Sequence, residues 1–415
     1  MTDARKPPRA PDGGSATAAT AGGSAARRPG RARLVAVQTA VGCAVAGAAA
    51  GTTAGYALAG AGALLLVPAL ARRRGQWLDE PFVRRLRREA LRTASPQRAT
   101  ARSGDGRGET GAGESGPVTP DLGLVHRLLP SLDVIGVPDR NGPELGMIAD
   151  GRGSAAVLEL PGGALPSLPV GLIAAWLRED PARPAAAQLV VEQFGLPPWD
   201  LLYRYQPTLA YRQLPVQGVP VAVRSWLVVR HEPLDAPESV SRRGGGAPGA
   251  GSALASATAR LRARLAAHGV DATTLGVAEL RELLRQTGDV TAGGKALPGC
   301  WAGEGATHCT VTADVGSQAD WARLLNGLAH SGADRLVTAA TVDLDADEPR
   351  VRTAVRVVST VGQHAATERD RLIRGGTVGP PGADQLAGVL ATLPVAYPAH
   401  ALAEATGSAL MGQRR

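Results

Sequence analysis

The chain has 415 residues, with 45 basic and 37 acidic side chains and a formal net charge of +8. At about 150 residues per domain, that length holds one large or two medium folded units plus extensions. Residues 1–120 carry 18 basic and 8 acidic side chains and the remainder 27 and 29, so the folded part is near neutral; a nucleic-acid-binding domain would keep its positive field on the fold, and no nucleic-acid partner is expected. Gly and Pro number 53 and 31, more than an ordinary compact domain carries, so part of the chain is read as linker. With six Trp, five Tyr and two Phe, the core must be built from Ala, Val and Leu. The three cysteines, Cys43, Cys300 and Cys309, are too few to imply a disulfide framework and fit a reducing compartment, or simply no need for staples.

In chain order, residues 1–33 lack apolar periodicity and read as a disordered arm. Residues 34–71 contain no charged side chain over 38 positions. One bilayer crossing takes about 20 residues, so the stretch predicts a transmembrane hairpin, 34–51 and 54–71, turning near Gly51–Gly55. Arginines flank both ends, and the positive-inside rule then puts both termini in the cytoplasm. Gly47, Gly51 and Gly55 are spaced by four, which lets membrane helices approach closely; the alternative reading is low-complexity Ala/Gly drift. The apolar stretch is far longer than the about 7–15 residues of a signal-peptide core, so cleavage is not expected. Residues 72–92 read as a basic juxtamembrane helix, with Leu78, Phe82, Leu86 and Ala90 on one face. Its arginines, Arg72, Arg73, Arg74, Arg84, Arg85, Arg87 and Arg88, are candidates for contact with anionic lipid headgroups. Residues 93–120 read as a flexible linker.

The cytosolic domain is expected over 121–405, with a disordered tail at 406–415. Short apolar runs at 131–137, 145–149 and 154–160, separated by DRNG and DGRG, predict a three-stranded antiparallel meander. A helix follows at 170–179, then strands at 188–192 and 219–230. In the latter, Arg224, Trp226, Val228 and Arg230 alternate with Val223, Ser225, Leu227 and Val229. Helices are predicted at 251–268, 277–287 and 319–330, and strands at 307–313, 335–344 and 351–360. The last two strands are joined by DADEP as a hairpin. Helices mixed with mostly antiparallel strands make the fold class α+β.

No constellation of residues carries chemistry. Gly244–Gly249 matches G-x-G-x-x-G, but a dinucleotide fingerprint needs a strand immediately before it, and PESVSRR is not one. Gly293-Gly294-Lys295 lacks the leading Gly and following Ser/Thr of a phosphate loop. Cys300, His308 and Cys309 have the wrong spacing for a zinc site, and adjacent His308 and Cys309 face opposite sides of a strand. Asp343, Asp345, Asp347 and Glu348 form an acidic turn without the glycine and terminal glutamate of a calcium loop. The residues therefore predict no catalytic group, no cofactor and no metal. The competing reading is a membrane-tethered enzyme or small-ligand-binding protein acting on cell-envelope precursors.

The order of these pieces resembles EccE, a membrane core component of the actinobacterial type VII (ESX) secretion system. The segments that carry the resemblance are RRRGQWL at 72–78, LLPSLDVIGVPDRNGPELGMIADGRGSAAVLEL at 128–160, LPSLPV at 165–170 and AAQLVVEQ at 186–193. They continue with VAVRSWLVVRHEP at 221–233, RRGGGAPGAGSALASATARLRARL at 242–265, THCTVT at 307–312 and GVLATLPVA at 388–396. The resemblance implies a multi-pass plasma-membrane subunit that helps assemble or stabilise a protein-export channel. It also implies EccB-, EccC- and EccD-type partners, with ATP hydrolysis belonging to the EccC-type subunit and no enzymatic activity here.

Overall fold

A computed structural model of the chain describes residues 31–57, 60, 72–73, 76–77, 122–138, 144–198, 206–214, 218–345 and 347–406. Two compact units are distinguished, Met1–Glu80 and Pro81–Arg415.

In the first unit a helix runs over Arg31–Ala50. It breaks at Gly51, whose φ of +59° is a left-handed conformation that side chains other than glycine adopt at a cost. Helical backbone resumes at 53–57, opened by a Thr52 hydroxyl that accepts the Gly55 amide at 3.1 Å. Among the described residues no helix is long and apolar enough to cross a membrane. The first helix is rich in Ala and Gly and carries Gln38 and Thr39, which dilute its hydropathy. Most of the expected second span lies outside the described residues. The start of the expected 72–92 helix is instead extended: β1 (Arg72–Arg73) pairs antiparallel with β2 (Gln76–Trp77), Arg73 opposite Gln76. The rest of that helix, the arm at 1–30, the linker at 93–120 and the tail from 407 lie outside the described residues.

The second unit is built on one antiparallel sheet of eleven strands. They are β3 (Asp133–Val137), β4 (Leu145–Ala149), β5 (Ser154–Leu160), β6 (Ala186–Phe194), β7 (Ala222–His231), β8 (Thr273–Thr274), β9 (Gly294–Leu297), β10 (Cys300–Gly303), β11 (Thr307–Ala313), β12 (Arg335–Asp345) and β13 (Glu348–Ser359). The order across the sheet is β3-β4-β5-β7-β6-β12-β13-β11-β10-β9, with β8 paired to β5. The α+β class with an antiparallel sheet is as read from the sequence.

Both faces of the sheet are covered, and the period-two alternation of the strands divides them. Ala156, Leu158, Leu189, Val191, Leu227 and Val229 join one core with the helices Val170–Glu179, Gly246–Ala267, Gln318–Ala329 and Gly362–Arg374. Their neighbours Ala155, Val157, Val190, Trp226 and Val228 join the other, beneath Val277–Gly288, Gln385–Thr392 and Ala399–Thr406. Helix starts follow local rules. The Ser317 hydroxyl accepts the Asp320 amide at 3.2 Å, and the Asp384 carboxylate accepts those of Leu386 and Ala387 at 3.0 Å.

The structure adds elements that the sequence pattern did not disclose: the β9–β10 hairpin and the helices after residue 360. It also corrects the cysteine reading. Trp301 faces His308 and Ala302 faces Thr307 across β10 and β11. One step along, Cys300 and Cys309 are joined in a disulfide with Cα atoms 4.2 Å apart. Low cysteine count says nothing about two cysteines that strand register brings face to face. Cys43 is free and half-buried.

Candidate functional site

Two buried polar clusters organise the second unit, and cavities open beside its sheet. The first cluster is centred on Arg230, which alternation in β7 aims into the core. Its side chain is 0% exposed. Nη2 donates to Asp150 Oδ2 at 2.9 Å, Nε to Glu232 Oε1 at 2.5 Å and Nη1 to the Val395 carbonyl at 3.1 Å. The guanidinium also stacks 4.1 Å from the Tyr397 ring centre, and the Tyr397 hydroxyl donates to Asp150 Oδ2. Arg152 Nε completes Glu232 at 2.9 Å. Burial alone raises the Asp150 carboxyl, but Arg230, the Tyr397 hydroxyl and the Gly153 and Arg152 amides outweigh it and hold it below the usual range. Tyr397 is pushed well up by burial and by Asp150. The cluster ties the β4–β5 turn, β7 and the C-terminal segment together and presents no free group for chemistry.

The second cluster lies under the end of the helix Val277–Gly288. Arg335 Nη1 donates to the Gln286 carbonyl at 2.8 Å, and Arg356 reaches the carbonyls of Thr287 and Gly288. Two buried cations thus cap the negative end of the helix dipole. The helix terminates at Asp289, with φ 138°, and His308 Nε2 sits 3.0 Å from its Oδ2. Burial, then the nearby arginines, lower His308 to about 4 against the opposing pull of Asp289. Arg356 falls to about 9, by burial first and then by Arg335. A neutral histidine on a carboxylate is half of a nucleophile-activating triad. Here His308 Nδ1 has no hydrogen-bond partner, so among the described residues no hydroxyl or thiol is hydrogen-bonded to it for activation.

The larger cavity, about 410 Å³, is a groove where β6 ends, β7 begins and the helices Gln318–Ala329 and Gly362–Arg374 meet. Its wall carries apolar side chains left in solvent: Val219 is 73% exposed, Leu214 59%, Val221 47% and Tyr211 38%. The wall is held by Asp334, 1% exposed. Asp334 accepts Arg212 Nε at 2.8 Å, the Ser359 hydroxyl at 2.7 Å and the Thr360 amide at 3.0 Å. A cluster of exposed Val, Leu and Tyr is the mark of a protein-docking surface more than of a reaction centre. The second cavity, about 310 Å³, lies beside β13 where β11 stops short. Arg352, Thr353, Gln188 and Tyr397 line it. Arg352 Nε and the Thr353 hydroxyl there have no hydrogen-bond partner.

The residues singled out from the sequence fall as follows. Gly47 and Gly55 are buried and adjacent: a Cβ on Gly55 would lie 2.5 Å from the Gly47 carbonyl oxygen. Gly51 is exposed at the break between them. Arg72 and Arg73 are in β1. Arg74, Arg84, Arg85, Arg87 and Arg88 lie outside the described residues. The Gly-rich run at 244–249 opens the helix Gly246–Ala267 and follows the short helix Pro237–Ser241, with no strand between. The buried clusters and the apolar groove were missed. Their one sequence signal was Arg224 and Arg230 on the same face of a strand as Trp226 and Val228, since a charge on a buried face needs a partner.

Residues 219–321 match the family described as "Putative type VII ESX secretion system translocon, EccE". The matched segment begins at the exposed Val219 of the groove and runs through β7, the Gly-rich helix and the β9–β10–β11 ladder. This is the family that the sequence resembles. Comparison with curated proteins found none that matches the chain.

Proposed function

We propose, from the family match over residues 219–321, that this chain is a structural subunit of a type VII secretion membrane complex, helping to assemble or stabilise the export channel. The match is the observation that carries the reading. It implies a membrane-associated component with EccB-, EccC- and EccD-type neighbours and no catalytic role of its own. The apolar groove at Leu214, Val219 and Val221 supports a docking function. In this reading residues 34–51 and 54–71 form a membrane hairpin, with both termini and the sheet domain on the cytoplasmic side. The helix break at Gly51 and the close approach of Gly55 to Gly47 support the hairpin. The arginines at 72–74 and 84–88 then face anionic headgroups.

Extraction of native membranes in mild detergent, followed by affinity capture of a tagged copy of this chain, tests the proposal. The expected result is one large particle containing multispanning partners and an ATPase. Recovery of the chain alone, under conditions that keep other membrane complexes whole, overturns it. The cavity beside β13, with Arg352 Nε and the Thr353 hydroxyl unpartnered, favours small-ligand binding as the second reading; a metabolite-induced rise in melting temperature of the lone chain would support it.

A further inference from the structure

We propose that Cys300 and Cys309 are a reversible redox site, in which Cys300 is the thiolate that meets a small hydroperoxide and Cys309 the thiol that resolves it. The inference rests on what surrounds the bond. Cys300 follows the two-residue Pro298–Gly299 connection of the β9–β10 hairpin, where Leu297 faces it and Gly299 has φ +69°. All four residues of β9 are exposed, and this hairpin is the free edge of the sheet. Cys300 is 4% exposed and Cys309 0%, so a small reagent reaches Cys300 first. Arg369, on the helix Gly362–Arg374, places Nη1 3.2 Å from Cys300 Sγ and 2.9 Å from the Gly299 carbonyl. Its Nε is occupied by Asp370 at 2.8 Å. A guanidinium against one sulfur, and not the other, stabilises that sulfur as thiolate.

The chemistry balances within the pair. The Cys300 thiolate attacks a peroxide oxygen, the O–O bond breaks, and the leaving hydroxide takes a proton and departs as water. Cys300 is then a sulfenic acid. The Cys309 sulfur attacks it, the S–O bond breaks, the second hydroxide leaves as water, and the S–S bond forms. Two thiols have supplied two electrons to one peroxide. In the return direction a dithiol attacks the Cys300 sulfur, the less buried of the two, and expels Cys309. The dithiol's second thiol then closes its own disulfide and releases Cys300 as the Arg369-stabilised thiolate. Oxidation staples the edge hairpin to β11, to which the ladder otherwise ties it through the pairs Trp301–His308 and Ala302–Thr307.

The test uses the full chain in detergent, in a Cys43→Ser background so that only this pair reports. The native protein should be reduced by dithiothreitol without unfolding and should consume one equivalent of hydrogen peroxide on reoxidation. In Cys309→Ser, dimedone should label Cys300 after peroxide; in Cys300→Ser it should leave Cys309 unlabelled. A guanidinium that favours the Cys300 thiolate raises the thiolate fraction at pH 7 by more than it lowers the nucleophilicity. Arg369→Met should therefore slow oxidation and raise the midpoint of the rate–pH profile, while Arg369→Lys keeps it. Asp370→Asn, which frees the guanidinium, should move the midpoint the other way. Resistance to the dithiol until the protein unfolds, equal labelling of both cysteines, or rates indifferent to both Arg369→Met and Asp370→Asn each overturn the proposal. These outcomes are independent of membrane side, which protease protection of the domain in spheroplasts reports separately.

Discussion

Replacing Arg230 by methionine keeps the length of the stem and removes the charge at the centre of the first buried cluster. Asp150 and Glu232, 3% and 2% exposed, lose ion pairs at 2.9 and 2.5 Å. Arg152 still reaches Glu232, and Asp150 keeps the Gly153 amide at 2.8 Å and the Arg152 amide at 3.0 Å. Uncovering one partner of a buried pair costs about 3–5 kcal/mol. For a folded unit of this size that is a fall of ~5–8 °C in melting temperature. The Arg230→Met deficit should also depend on pH. In the parent, Asp150 is held low by folding, so its contribution is present above about pH 4 and is lost as pH falls through the lowered folded value. In the variant the same carboxylate is buried without its cation, so its folded value rises above the unfolded one and folding takes up a proton. Stability lost at pH 7.5 is then partly regained toward pH 5. Thermal melts of the detergent-solubilised chain at the two pH values measure both effects. Arg230→Met/Asp150→Asn should recover ~1–2 kcal/mol of the loss, since no uncompensated charge stays on that side. A shift below 2 °C, or an equal deficit at both pH values, would refute the ion-pair account.

The buried neutral His308, lowered to about 4, makes the fold bind fewer protons than the unfolded chain between about pH 6.5 and 4. Stability should fall by about 3 kcal/mol across that window, and His308→Gln should flatten the slope in denaturant titrations. Gly55→Leu drives a side chain into the Gly47 carbonyl; an overpacking cost of about 1–3 kcal/mol should speed amide exchange over residues 52–57 by about fivefold or more, and unchanged exchange would remove the close-approach argument. Val219→Glu and Leu214→Glu alter exposed side chains, so melting temperature should hold within about 1 °C, as surface changes usually do. If the groove docks a partner, each should lower its co-purification by at least about fivefold.

The sequence alone settled what depends on near neighbours along the chain. Period-two alternation located nearly every long strand to within a few residues, because a strand with two covered faces shows its parity in every pair of positions. Its limit appears in β7: alternation put Arg224 and Arg230 on one face with Trp226 and Val228, yet could not name Asp150, Glu232 or Tyr397 as the answering groups. Those partners come from residues up to 167 positions away, and only sheet order brings them in. That order inserts β7 between β5 and β6 and sets β12 against β6, a choice that antiparallel register and helix cover make globally. The helices Gln385–Thr392 and Ala399–Thr406 were hidden for the same reason, being short segments stabilised by docking on the sheet more than by their own propensity. The cysteines are the sharpest instance. Nine positions of separation and a low count said nothing of a bond, but the register of β10 against β11 placed the two sulfurs face to face and left Arg369 beside one of them. Local pattern determines which side of an element a residue faces; the long-range pairing of elements determines what it meets there.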